Sequence, residues 1–121
     1  MTALPPGWPA EVRPPGSPEW ERSAVAWLFD QCPPDYRGYD ALRRHPLVLA
    51  RFAAAAVDGA AVAVESGLRT IRAELAGRVA PEAVESAVAT YERERQRLRA
   101  ARTAVELVEQ ALRGKRWAPR L

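Results

Sequence analysis

One histidine, one cysteine and a dense run of arginines are the side chains of this 121-residue chain that first invite a chemical reading. His45 stands in Arg43-Arg44-His45-Pro46. A catalytic imidazole needs an orienting acid and a substrate pocket, and the sequence offers Asp40 nearby. The simpler reading is a residue flanking a helix start. Cys32 precedes Pro33. One thiol and one imidazole cannot close a zinc site, and an isolated cysteine behaves as a small apolar residue. Phosphate-binding glycine loops, paired catalytic acids, zinc-peptidase and Cys-x-x-Cys spacings and nucleophile elbows are absent. The expectation is a non-enzymatic protein with no metal, no cofactor and no small-molecule substrate.

The arginines cluster between Tyr91 and Arg102. On a helix, Arg95, Arg99 and Arg102 share one stripe, and Arg93 and Arg97 share another. Such a stripe is a sequence-independent surface for phosphates. The tail adds Lys115, Arg116, Trp117 and Arg120, cations beside an aromatic that can stack on a base. Two bland readings compete. The helix face is simply solvated, held by local pairs Glu92–Arg95 and Glu94–Arg97, or Trp117 folds back onto the rest of the chain. The net charge of +3 permits nucleic-acid contact without requiring it. It is unevenly spread: −1 over residues 1–45, +1 over 46–80 and +3 over 81–121.

These residues must be positioned by helices. Residues 1–17 are rich in proline, which fixes φ and removes donors, and read as an extended arm with polyproline character that Trp8 could anchor. Ser17-Pro18-Glu19 reads as a helix start with Ser17 as the cap, and Pro33-Pro34 as its stop, giving a helix over 18–32. A turn-rich connector follows, with one short helical turn after Asp40. His45-Pro46 opens a long helix over 46–76. Pro81 opens another over 81–113, and Gly114 sits where a glycine C-cap belongs. Two long helices joined by a short turn form an antiparallel hairpin. The fold expected is therefore all-α: a hairpin packed by a shorter N-terminal helix, as one domain over 18–113, with a basic tail over 114–121.

In the first long helix, Leu49, Ala53, Val57, Ala60, Val64, Leu68, Ile71 and Leu75 form a nearly straight apolar stripe. In the second, Val84, Ala87, Tyr91, Glu94, Leu98, Ala101, Val105, Val108 and Leu112 alternate steps of three and four, a coiled-coil-like seam with one charged member. A second face of the first helix begins large, at Leu49 and Phe52, and then becomes small through Ala56, Gly59, Ala63 and Ser66/Gly67, residues that allow close approach of another helix. Arg51, Asp58, Glu65 and Arg72, spaced by sevens, read as a solvated stripe opposite. So wide an apolar arc needs more than one packing partner. The N-terminal helix covers one end; a homodimer or another protein is expected to cover the rest.

The stretch Leu49–Leu68 is long enough for a membrane span, but Arg51, Asp58 and Glu65 lie within it, and each central charge costs at least about 2.5 kcal/mol. No span is expected. The opening MTALPPGWPAEVRPPG lacks the basic-then-apolar order of a secretory signal. A single thiol fits a reducing compartment. The expected location is cytoplasmic, and the expected role is an interaction or scaffold protein acting by self-association or partner docking. Nucleic-acid association through Arg95, Arg99, Arg102, Lys115, Arg116 and Trp117 is the alternative.

Overall fold

The computed structural model describes residues 3–118, and the described residues contain helices and no strand. Helix α1 spans Trp20–Asp30. A 3-10 turn over Pro34–Gly38 and the short helix α2, Asp40–Arg44, lead into α3, Pro46–Leu75. Helix α4 spans Pro81–Leu112. Helices α3 and α4 form the antiparallel hairpin, and α1 packs against α3.

The ends of the long helices follow from their punctuation. Pro46 and Pro81 occupy first-turn positions, where a missing N–H loses no helical hydrogen bond. At the far end of α4, Gly114 adopts φ 104°. Its N–H donates to the Ala111 carbonyl at 3.0 Å, and the Lys115 N–H donates to the Gln110 carbonyl at 3.0 Å. That pair of bonds is a Schellman closure, which needs the left-handed residue glycine supplies. After α3 the closure differs: Ala76 is already extended at ψ 126°, and Gly77, at φ 74°, is third in a type II turn closed by Arg78 N–H to the Leu75 carbonyl at 3.0 Å.

The start of α1 departs from expectation. Ser17 is not the cap: its hydroxyl donates back to the Pro14 carbonyl. The residue before the helix is Glu19, in the left-handed region at φ 69°, with no side-chain cap. Ser23 replaces it as a tie to the arm, its hydroxyl accepting from the Arg13 N–H at 2.9 Å and donating to the Trp20 carbonyl at 2.8 Å.

The arm is not extended either. It folds into three successive turns, closed by Trp8 N–H to Pro5 O, Val12 N–H to Pro9 O and Ser17 N–H to Pro14 O, each 3.1–3.2 Å. Two of these read Pro-Pro-Gly-Xaa, with Gly7 at φ 91° and Gly16 at φ 86°. Proline second and a positive-φ glycine third is the requirement of a type II turn. The folded arm lies along the end of α4, where a Cβ on Gly7 would come within 3.1 Å of Thr103. The Trp8 indole N–H donates to the Val12 carbonyl at 2.8 Å.

The core lies at one end of the hairpin. Leu49, Ala53 and Val57 of α3 meet Leu98, Val105 and Val108 of α4, with Trp27, Leu28 and Phe29 of α1 closing the third side. Residues 65–87 include no buried side chain. The cause is length: α1 has 11 residues, about 16 Å, while α3 and α4 have 30 and 32, about 45–48 Å. Beyond the reach of α1 the hairpin continues as a two-helix arm.

The two glycines inside α3 differ in kind. At Gly67 a Cβ would fall 2.3 Å from the Tyr91 ring, so α4 uses that gap; at Gly59 a Cβ would meet nothing within 4 Å. Substitution by alanine should therefore act with opposite signs. In urea unfolding of dilute protein, Gly59→Ala is expected to stabilise by about 1 kcal/mol through helix propensity. Gly67→Ala is expected to destabilise by about 1–3 kcal/mol, because the half-buried Tyr91 ring must move.

Candidate functional site

Helix α3 presents two surfaces beyond its core stripe, an edge of charges and a back face without any. The charged edge is solvated, as its spacing suggested, but its charges are not unpaired. Each of its members reaches across to α4. Arg51 pairs with Glu109 at 2.9 Å, Asp58 with Arg102 at 2.9 Å, Glu65 with Arg95 at 2.7 Å and Arg72 with Glu85 at 2.9 Å. Each step of seven up α3 matches a step of seven down α4, until Arg72 reaches past the buried Val88 to Glu85. The Glu65–Arg95 pair is a two-pronged fork, Nε to Oε1 and Nη2 to Oε2. Glu109, whose side chain is only 12% exposed, also takes Arg113 at 3.2 Å.

The local pair Glu94–Arg97 forms, whereas Arg95 is drawn across the hairpin to Glu65 rather than to Glu92. The fork explains this choice, since two parallel charge-assisted bonds outweigh one flexible surface pair. Hydrogen bonding from Arg95 holds the Glu65 carboxyl below its ordinary range; partial desolvation opposes this, and Arg95, Arg99 and Arg69 add attraction. The Arg95 guanidinium is raised in return, chiefly by the same bonds.

The arginine stripe is thus divided. Arg95 and Arg102 are engaged by α3 acids, while Arg99 has no carboxylate partner among the described residues. The tail is engaged too. Trp117 meets Trp8 edge-to-face at 5.7 Å, and Lys115 lies 5.5 Å from the Trp117 ring. Arg116 donates to the Ala111 carbonyl at 3.0 Å and lies over Trp20 at 5.8 Å. Arg120 lies outside the described residues.

The back face of α3 carries no charge from Val48 to Ser66, where Arg69 ends the run: Phe52, Ala55, Gly59, Val62, Ala63 and Ser66 are all exposed along it. Val62 is 70% exposed and Phe52 45%. The Phe52 ring has a neighbour, Tyr36, edge-on at 6.2 Å. A shallow depression of about 480 Å³ runs beside it between Tyr36, Arg51, Ala55 and Ala56. Of the residues singled out from the sequence, Phe52, Gly59 and Ala63 lie on this face, Ala56 is half-buried at its margin, and Gly67 lies under Tyr91 inside the hairpin. Val48 and Val62 were missed. Their signal was the step from Val48 through Phe52, Ala55 and Gly59 to Val62, alternately four and three, with no charged residue.

His45 is exposed at the head of α3, where its carbonyl accepts from the Leu49 N–H at 3.0 Å. Asp40 pairs with Arg44 at 2.8 Å. Cys32 is buried, and burial pushes its thiol pKa up against the opposing pull of Arg37. Among the described residues no group of three or more His, Cys, Asp or Glu side chains is placed to hold a metal ion. No protein-family model, curated protein or solved structure matches the chain.

Two measurements probe the charged edge. Glu65 is ionised more readily folded than unfolded, so its contribution is present above the unfolded pKa and is lost as pH falls through the folded one. Glu65→Gln is expected to destabilise at neutral pH, and its gap to wild type to close as pH drops below the ordinary glutamate value of about 4.3; denaturant titrations at several pH values read this. A charge exchange tests the pairing itself. Arg102→Glu should destabilise by facing Asp58 with a like charge, and adding Asp58→Arg should restore most of the loss.

Proposed function

We propose that this chain is a non-enzymatic, cytoplasmic helical interaction protein that acts by self-association or partner docking on the back face of α3. The observation that carries the reading is Gly59. An exposed glycine within a helix costs about 1 kcal/mol relative to alanine, and this one admits no side chain or backbone of its own fold into the space it leaves. A second helix laid close against α3 would use that space. Around it the face is uncharged along about 27 Å of helix, from Val48 to Ser66. The exposed Val62 and Phe52 supply apolar contacts, and the groove beside Phe52 can receive a side chain.

Helix α3 is long and apolar enough, by length and composition alone, to cross a membrane. A docked, water-facing helix is favoured because its four edge charges are matched to α4, a helix too charged to accompany it into lipid.

The phosphate-binding alternative has less support, since its cations are largely committed within the chain. What favours it is Arg99, with Arg69 near the same Glu65 carboxylate and likewise without a carboxylate partner among the described residues. It requires binding of an oligonucleotide that weakens steeply with salt and with Arg99→Gln.

Light scattering between one and a hundred micromolar, on an order-of-magnitude scale spanning transient association, tests the leading reading. A concentration-dependent rise in mass, abolished by Val62→Glu with the helical circular dichroism unchanged, is the expected result. A monomer throughout removes self-association and leaves docking of a different partner. Unaltered association in Val62→Glu would take the back face out of consideration.

A further inference from the structure

We propose that the cleft between α1 and α2 binds a short acidic peptide segment, taking an apolar side chain on its floor and a carboxylate on Arg43. The cleft has a volume of about 840 Å³ and is lined from α1, the 3-10 turn, α2 and the first residue of α3. None of its lining belongs to the back face of α3, so the proposal stands apart from the self-association reading.

Its floor is apolar, with Val25, Ala26 and Pro46 open to the cleft and Phe29 closed off beneath Arg43. Its rim carries four arginines, Arg22, Arg37, Arg43 and Arg44, beside Glu21 and Asp30, and its charge is close to balanced once the pairing acids Glu19 and Asp40 are counted. Three of those arginines have partners within the chain. Arg22 pairs with Glu19 at 3.5 Å, Arg44 with Asp40 at 2.8 Å, and Arg37 with Asp30. All six side chains are at least 45% exposed, so these pairs are weak and an incoming carboxylate can exchange into them.

Arg43 differs from the others. It has no carboxylate partner among the described residues, yet it is held in place. Its guanidinium lies 5.2 Å over the Phe29 ring, and one nitrogen donates to the Arg37 carbonyl at 2.7 Å. A guanidinium stacked on an aromatic and tied by one hydrogen bond loses little freedom when its remaining N–H groups take a carboxylate. The fork geometry suits that anion.

The choice of a peptide over a nucleic acid follows from the rest of the lining. A phosphate backbone brings continuous negative charge past Glu21 and Asp30 and nothing to cover Val25, Ala26 and Pro46. A peptide with alternating acidic and aliphatic residues brings both kinds of group, and its N–H donors suit the two rim carboxylates.

The test is a titration of the full chain with the hexapeptide Glu-Glu-Leu-Leu-Glu-Glu, read by amide NMR shifts and by anisotropy of a labelled copy. The comparison probes are the same peptide with lysine for glutamate, the same with serine for leucine, and a single-stranded oligonucleotide. Expected are shifts localised to Val25, Ala26, Phe29 and Arg43, and binding weakened at least about tenfold by Arg43→Gln. Ala26→Glu sits on an exposed helix position and is the second variant. It should weaken binding comparably by placing a carboxylate in the cleft, with helical circular dichroism confirming the fold of both. Absence of localised shifts overturns the proposal. So does equal binding of the lysine or the serine peptide, or binding of the oligonucleotide alone, which would make the cleft a phosphate site.

Discussion

The register in which α3 is laid against α4 is the constraint on which the other features depend. Buried Leu49, Val57, Val105 and Val108 supply the free energy of that contact. Apolar seams built largely of alanine and valine are poor at telling one register from the next, because a shift by one heptad presents similar side chains again. The charged edge removes the ambiguity. Sliding α4 by seven residues one way would set Arg51 against Arg102 and keep only Asp58 with Arg95; sliding it the other way would set Asp58 against Glu109 and Arg72 against Arg95 and keep only Glu65 with Arg102. In the observed register every one of these groups meets an opposite charge. Exposed ion pairs of this kind stabilise little individually. Their weight lies in what the alternatives would cost, since like charges directly opposite are repelled.

Once that register is set, both ends of the chain are brought to the same end of the hairpin. The folded arm precedes α1 and the tail follows α4, so Trp8 and Trp117 meet, and Arg116 comes over Trp20. The tryptophans therefore close the base of the bundle. They are not displayed as a stacking platform, and the basic tail loses much of its freedom to reach a nucleic acid. At the other end no third element is available among the described residues. α1 covers only part of α3, and the rest of α3 is left with α4 on one side and solvent on the other.

Much of this architecture was legible in the sequence, because helix boundaries here are written in proline and glycine. Pro46 and Pro81 mark starts, and Gly77 and Gly114 mark ends, each through a backbone property independent of tertiary context. The arm was misread because proline content alone suggests extension. The repeated Pro-Pro-Gly carried the turn signal, and the third-position glycine was its decisive member. Ser17 was misread for a related reason: a serine hydroxyl bonds backward in a turn as readily as forward to a helix. The edge charges illustrate a different limit. Spacing by sevens on α3 was visible, but periodicity on one helix does not identify its counterpart. Only when α4 is run backward against α3 do Glu109, Arg102 and Arg95 fall into step. Gly67 and Gly59 were likewise indistinguishable by pattern, and only the position of Tyr91 separates them.

The chemistry of the back face also limits what kind of contact it can make. Alanine and glycine bury little area, so a helix packed there gains modestly from the hydrophobic effect. The gain must come instead from close approach of backbones and from the two larger side chains, Phe52 and Val62. An uncharged strip bordered on one side by the paired charges of the α3 edge would give the proposed contact a dry middle beside a polar margin. A single helix face about 27 Å long and one helix wide falls well below the area typical of permanent assemblies. Reversible association is the mode such a face suits. A large, sticky patch would hold its partner indefinitely and would also threaten the monomer with aggregation. Small residues avoid that hazard, because they recognise mainly a surface able to come as close as another helix.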